Sequence, residues 1–143
     1  MTSLYLDTSV LVAYYTPEVH STQAEAVILG ATDRAVSPLC VSEANAALRA
    51  KVFHGSLSYD DAIIARDRFR AHYAGGFYRT VPLDEQVFDL AAAFVWHIPV
   101  KIRTLDALHV VAAQSAGLRL ATADSRMRDA AQAAQILVQW AGG

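Results

Sequence analysis

One cysteine, Cys40, stands among 143 residues, so an internal disulfide is excluded. A lone reduced thiol suits a cytoplasmic location. Long apolar runs are also missing. No segment reaches the roughly 18 uninterrupted apolar residues that a membrane helix needs. The first residues carry no cationic stretch and Asp7 interrupts the apolar run that follows, so no signal peptide is expected. An excess of basic charge is absent as well: the formal net charge is −2 and the pI about 6.2. A general basic coat for nucleic acid is thereby excluded, and any such contact must come from a local patch. Repeats, low-complexity tracts and Pro/Gly-rich linkers are not found, so a single domain over residues 1–143 is expected. What the chain has instead is apolar surface, at 54% hydrophobic residues. That is somewhat above an average domain and points to a partner or a second copy covering part of it.

Turn and cap signals divide the chain into alternating strands and helices. Residues 3–7, "SLYLD", read as a short buried strand, and residues 8–15 as a helix stopped near Pro17. A helix over residues 20–29, closed by Gly30, is followed by a strand at "RAVS", residues 34–37. Ser37-Pro38 reads as an N-cap with proline at the first helical position, opening a helix to His54. Ser58 and Asp61 have capping-box spacing before a helix to Ala74. "FYRTVPL", residues 77–83, is β-rich, and Asp84 caps a helix lasting to about Ile98. Thr104 is the expected cap of a helix ending at Gly117, with a strand over 118–122 behind it. Asp124 caps a helix to about Ala133, and "ILVQW", residues 136–140, reads as the last strand. This order predicts an α/β fold: three layers, α/β/α, around a mainly parallel, Rossmann-like sheet.

In such sheets, sites form beyond the carboxyl ends of the strands. Most of the 14 acidic residues have polar or helix-start neighbours and read as surface. Four stand in apolar or small-residue settings: Asp7 in "LYLDTSVL", Glu43 in "CVSEANAAL", Asp106 in "TLDALHVVAA" and Asp124 in "LATADSRM". Each has a plain structural explanation too. Asp106 suits the dipole of a helix start, Asp124 is an N-cap, and Glu43 can reach water from a helix edge. Asp7 resists best, since an apolar strand requires no acid. All four can converge on one rim, and a cluster of carboxylates that stays ionised needs cations. All-oxygen donors suit Mg²⁺ or Mn²⁺.

The four motifs "YLDTSVLV", "SEANAAL", "TLDALHVVAA" and "LATADSRM", in this order, resemble those of the PIN-domain ribonucleases, and especially of the VapC toxins. The resemblance covers nearly the whole chain. It implies a metal-dependent endoribonuclease, the toxin of a toxin–antitoxin pair, that cuts RNA phosphodiester bonds with Mg²⁺ or Mn²⁺. It assigns Asp7, Glu43, Asp106 and Asp124 as the catalytic quartet, with Asp7, Asp106 and Asp124 on the metal. Ser9 and Thr122 stand where the family carries supporting hydroxyl residues. It also implies a homodimer, silenced by a small VapB-like antitoxin whose C-terminal segment lies over the groove. Lys101 and Arg103 before the third motif, and Arg126 and Arg128 after the fourth, are candidate RNA contacts or solubility charges. Arg66 and Arg70 lie one helical turn apart, with Arg66 in an apolar stripe that suggests a partner-facing surface. His109 is expected to pack or hydrogen-bond rather than catalyse.

Rival readings are a housekeeping PIN nuclease without an antitoxin, a non-catalytic RNA- or protein-binding PIN module, and a receiver-like signalling domain. The last is disfavoured because the first strand supplies one acid and "YRTVPL" none.

Overall fold

The computed structural model describes residues 2–143. The chain runs β1 (Ser3–Leu6), α1 (Thr8–Tyr15), α2 (Ser21–Gly30), β2 (Asp33–Val36), α3 (Pro38–Phe53), α4 (Tyr59–Ala74) and β3 (Arg79–Thr80). It continues through α5 (Glu85–His97), α6 (Thr104–Ser115), β4 (Arg119–Thr122), α7 (Ser125–Ala133) and β5 (Val138–Trp140). The strands form one sheet in the order β3-β2-β1-β4-β5, and every pairing is parallel. The expected α/β architecture is therefore observed.

Right-handed crossovers fix which helices share a face. From β1 the chain steps outward to β2 and β3, which places α1 to α4 on one side. It then returns past β1 to β4 and β5, which places α5, α6 and α7 on the other. The contacts agree, since α1 packs on α2, α3 and α4 while α6 packs on α5 and α7. Covered on both faces, β1 can be wholly apolar: Leu4, Tyr5 and Leu6 are all buried. The reversal of direction falls between β1 and β4. The carboxyl ends of those two strands therefore flank a switch-point crevice.

Local chemistry sets the element ends. Asp84 accepts from Val87 N at 3.0 Å to start α5. Ser58 accepts from Asp61 N at 3.1 Å to start α4. Pro38 stands at the first helical position of α3 behind Ser37, as expected. Three expected boundaries move. Arg103, not Thr104, is the N-cap of α6, and Thr104 is already helical. The β-rich stretch 77–83 pairs only over Arg79–Thr80. Phe77 N is taken by His72 O to close the turn after α4, and Pro82 has no N–H to offer. The last strand begins at Val138 because Gln135 takes φ 61° and Ile136 N closes the end of α7 on Ala131 O.

The core is continuous across the first face, from Leu4, Leu6 and Leu11 to Phe69 and Tyr78. Phe69 clamps α4 through the aromatic rings of Tyr15 at 5.4 Å and Tyr78 at 5.9 Å between centroids, and Tyr73 of the same helix adds an edge contact at 6.2 Å. Arg66 lines a groove of about 300 Å³ between α3 and α4 with Leu48, Val52, Tyr59 and Ile63, and it pairs with Asp67 at 3.0 Å. Among the described residues, no helix is long and apolar enough to cross a membrane.

Phe69 is 3% exposed, so Phe69→Ala should cost about 3–5 kcal/mol of unfolding free energy. Urea denaturation measures it, and a loss under about 1 kcal/mol would show that α4 is not clamped through this ring.

Candidate active site

Asp7 is the residue directly after β1. Its N–H donates to Ala121 O at 3.1 Å, which extends the β1–β4 ladder by one bond. Its side chain then turns to cap α1, accepting from Val10 N at 3.2 Å. The carboxylate is only 1% exposed. Ser9 Oγ donates to its Oδ1 at 2.6 Å and Thr122 Oγ1 to its Oδ2 at 2.5 Å. These two hydroxyls tie the ends of the strands together. Ser9 Oγ accepts from Ala123 N, and Thr122 Oγ1 accepts from Asp124 N, both at 3.0 Å. Burial pushes the Asp7 carboxyl above the usual carboxylate range, against the pull of His109 and of the donors on it.

Asp124 follows β4 and caps α7, accepting from Arg126 N at 2.9 Å. Asp106 lies in the first turn of α6 and is 6% exposed. Both acids face one cation, Arg103. Its Nε stands 3.0 Å from Asp106 Oδ2 and its Nη2 4.0 Å from Asp124 Oδ2. Beside them is a cavity of about 280 Å³ lined by Lys101, Ile102, Arg103, Asp106 and Arg126. Of the candidate RNA contacts, Lys101, Arg103 and Arg126 therefore meet at this cavity. Arg128 does not line it: its guanidinium stacks 4.4 Å from the Trp140 ring centroid and pairs with Asp129 at 3.2 Å.

Glu43 points from α3 into a separate arrangement. It accepts from Thr8 Oγ1 at 2.8 Å and pairs with His109 Nε2. The other nitrogen of His109 meets Tyr5 OH at 2.7 Å, and that hydroxyl meets Ser37 Oγ at 2.8 Å and Cys40 Sγ at 3.7 Å. His109 thus takes the hydrogen-bonding role expected of it. Burial opposes its charge, yet the Cys40 thiol and the Glu43 carboxylate outweigh burial and push its pKa up to about 10. Burial likewise opposes ionisation of Glu43, but the bonds from His109 and Thr8 prevail and hold it below its ordinary value. An imidazolium donates from both nitrogens, here to Glu43 and to Tyr5. Thr8, Tyr5, Ser37 and Cys40 were not foreseen as parts of the site. The one sequence signal for Thr8 is its place beside Asp7.

The donors available for a metal are carboxylate oxygens, the chemistry of a hard divalent ion. Two of them, on Asp106 and Asp124, already share one positive charge, so their placement fits a cation. Among the described residues, no three acidic, His or Cys side chains stand close enough together to hold an ion as they are placed. A larger cavity, about 560 Å³, lies at β3 and α5 between Arg79, Asp84 and Leu90 and includes none of the four acids.

Residues 4–133 match the family described as PIN domain. The chain belongs to the PIN-domain family. It is 32% identical over 135 residues to Ribonuclease VapC46 of Mycobacterium tuberculosis (strain ATCC 25618 / H37Rv), covering 92% of each chain. Its fold superposes with a TM-score of 0.71 on the Mycobacterium tuberculosis VapC20, a sarcin–ricin loop cleaving toxin, at 15% identity, covering 90% of this chain and 95% of that one. It superposes with a TM-score of 0.63 on a chain of a toxin–antitoxin complex from Klebsiella pneumoniae, at 17% identity, covering 87% and 88%. The four motifs fall in the PIN-domain match, at the strand ends and helix starts described above.

Thr122→Val keeps the shape of the strand end but removes a donor to Asp7. It should cut any metal-dependent activity about 10- to 100-fold while the fold survives, and unchanged activity would contradict the support assigned to this hydroxyl. The His109 pair predicts a pH dependence. Its pKa is about 10 in the folded chain against roughly 6.5 when free. The folded chain holds that proton more tightly, so the stabilisation is complete below about pH 6.5 and is lost as pH rises towards 10. Thermal unfolding of His109→Asn should therefore decline less than wild type between pH 7 and pH 9.5; parallel slopes would contradict the charged pair.

Proposed function

We propose that this protein is a VapC-type endoribonuclease, the toxin of a toxin–antitoxin pair, which hydrolyses RNA phosphodiester bonds at the crevice between β1 and β4. The observation that carries this reading is the convergence of Asp106 and Asp124 on one cation, with Asp7 buried at the end of the neighbouring strand and tied to the Asp124 turn through Thr122. Asp7, Asp106 and Asp124 are the proposed ligands of Mg²⁺ or Mn²⁺, and Glu43 completes the acidic quartet. When bound, such an ion lowers the pKa of water and offsets the charge that builds on a phosphoryl group.

The chain's own groups do the rest. Ser9 and Thr122 fix both oxygens of Asp7, so its carboxylate cannot rotate away from the crevice. His109 and Thr8 both hold one oxygen of Glu43, Oε1. Lys101 and Arg126 line the cavity next to Asp106 and offer cationic partners for RNA phosphates, a local patch in an otherwise slightly acidic chain. Such contacts supply grip without sequence choice. A small VapB-like antitoxin and a second copy of this chain are the proposed protein partners. The large apolar side chains left in water support a partner of some kind: Trp96 is 85% exposed and Phe88 51%.

Purified wild type should cleave RNA with Mg²⁺ or Mn²⁺ and stop on chelation. Asp7→Asn should cleave slower by a factor on the order of 10² or more, the loss typical of removing one group that stabilises transition-state charge. Its unfolding free energy should stay within about 1 kcal/mol of wild type, since a buried carboxylate is replaced by a neutral group of the same shape. Equal cleavage by the two chains, or cleavage indifferent to chelator, would contradict the assignment.

A further inference from the structure

Arg103 is in an awkward place for a cation. It is the N-cap of α6, its side chain makes no capping bond, and the dipole of a helix start disfavours positive charge. The carboxylates compensate. The guanidinium folds back to Asp106 at 3.0 Å and comes within 4.0 Å of Asp124. It thereby neutralises two acids that arrive from different elements, one in α6 and one at the end of β4. The two acids are more enclosed than the arginine: the Asp106 side chain is 9% exposed and Asp124 28%, against 68% for Arg103. The carboxylates are thus held in place, while the guanidinium can swing. The adjoining cavity with Lys101 and Arg126 on its wall gives it room to do so.

We propose that Arg103 is a built-in stand-in for the metal: it bridges Asp106 and Asp124 in the metal-free chain and is exchanged for the divalent ion. The inference rests on the reading of those two acids as metal ligands. A single positive charge keeps the empty site assembled against like-charge repulsion. A divalent ion then competes for the same oxygens, and the guanidinium, already on the cavity wall with Lys101 and Arg126, is released there from its carboxylate partners. Metal loading would in this way raise the positive charge available to an RNA phosphate, and the metal-free chain would grip RNA less well.

Mn²⁺ binding to the intact protein, followed by the electron-spin resonance of the free ion, separates the possibilities without reference to activity. The chains compared are wild type, Arg103→Gln, Lys101→Gln and Asp106→Asn. Arg103→Gln should bind Mn²⁺ about five-fold tighter, the size of a well-made exposed ion pair that the metal no longer has to break. Lys101→Gln removes the same charge from the same cavity wall but touches neither carboxylate, and it should shift binding less than about two-fold. Asp106→Asn should weaken binding at least ten-fold. If Asp106→Asn binds as wild type does, the ligand reading itself fails. If it weakens binding while Arg103→Gln binds no tighter than wild type, the exchange is overturned. Equal tightening in Arg103→Gln and Lys101→Gln would overturn it too, since general charge rather than exchange would then explain the effect. Arg103 contributes nothing to the core, so a folding failure is not expected, and far-ultraviolet circular dichroism of each chain verifies that.

Discussion

A carboxylate buried at the end of the central strand is the constraint around which this site is built. Ionised Asp7 is costly in an apolar setting unless its oxygens are satisfied, and the fold answers with three donors from two elements. α1 supplies Val10 N and Ser9 Oγ, and β4 supplies Thr122 Oγ1. Those same hydroxyls accept from Ala123 N and Asp124 N, so the turn after β4 is shaped by the residues that solvate Asp7. Asp7 therefore ends a strand, starts a helix and anchors a neighbouring loop at once. Even so, its pKa remains raised by burial. The donors do not fully replace water, and a cation at this rim would supply what they leave unmet. Structure and chemistry pull on the same group, which is the usual signature of a functional site.

Behind the rim lies a second polar layer. Tyr5 of β1, Ser37 and Cys40 at the start of α3, and His109 of α6 form a buried chain of contacts that ends on Glu43. Buried polar networks help only when every member is satisfied. Among the described residues, no buried side-chain nitrogen or oxygen lacks a partner. The network ties α3 on one face of the sheet to α6 on the other through the central strand. It thus fixes the orientation of Glu43 with parts that never reach the crevice. Asp106 and Asp124 face a different device, the Arg103 guanidinium, which is exposed where the His109 pair is enclosed.

Much of this was legible in the sequence because it depends on local pattern. Apolar tetrads bounded by caps gave the strands, and Asp84, Ser58 and Asp124 were read as caps that the structure confirms. The placing of Asp7 and Asp124 on one edge followed from their positions after predicted parallel strands, while the supporting place of Thr122 came from the family resemblance. What stayed hidden depends on long-range geometry. Tyr5 and His109 are 104 residues apart, and nothing in "LYLD" or "DALHV" announces that one hydroxyl and one imidazole will meet. The role of Arg103 was masked by the hydroxyl beside it: Thr104 is the better cap by type, yet Arg103 takes the cap position, and its guanidinium pairs with Asp106 instead of capping. The last apolar stretch misled about its start because Gln135 adopts a left-handed conformation that sequence rules assign to glycine.

The central claim is that the carboxyl ends of β1 and β4 gather acids in order to hold a divalent cation. A crystal of the intact protein soaked in Mn²⁺, with diffraction recorded at the manganese absorption edge, tests it most directly. The account predicts an anomalous peak at the crevice within about 2.3 Å of an Asp106 oxygen, with further carboxylate oxygens from Asp7 or Asp124 around it. Manganese bound elsewhere on the surface with this crevice empty would contradict it.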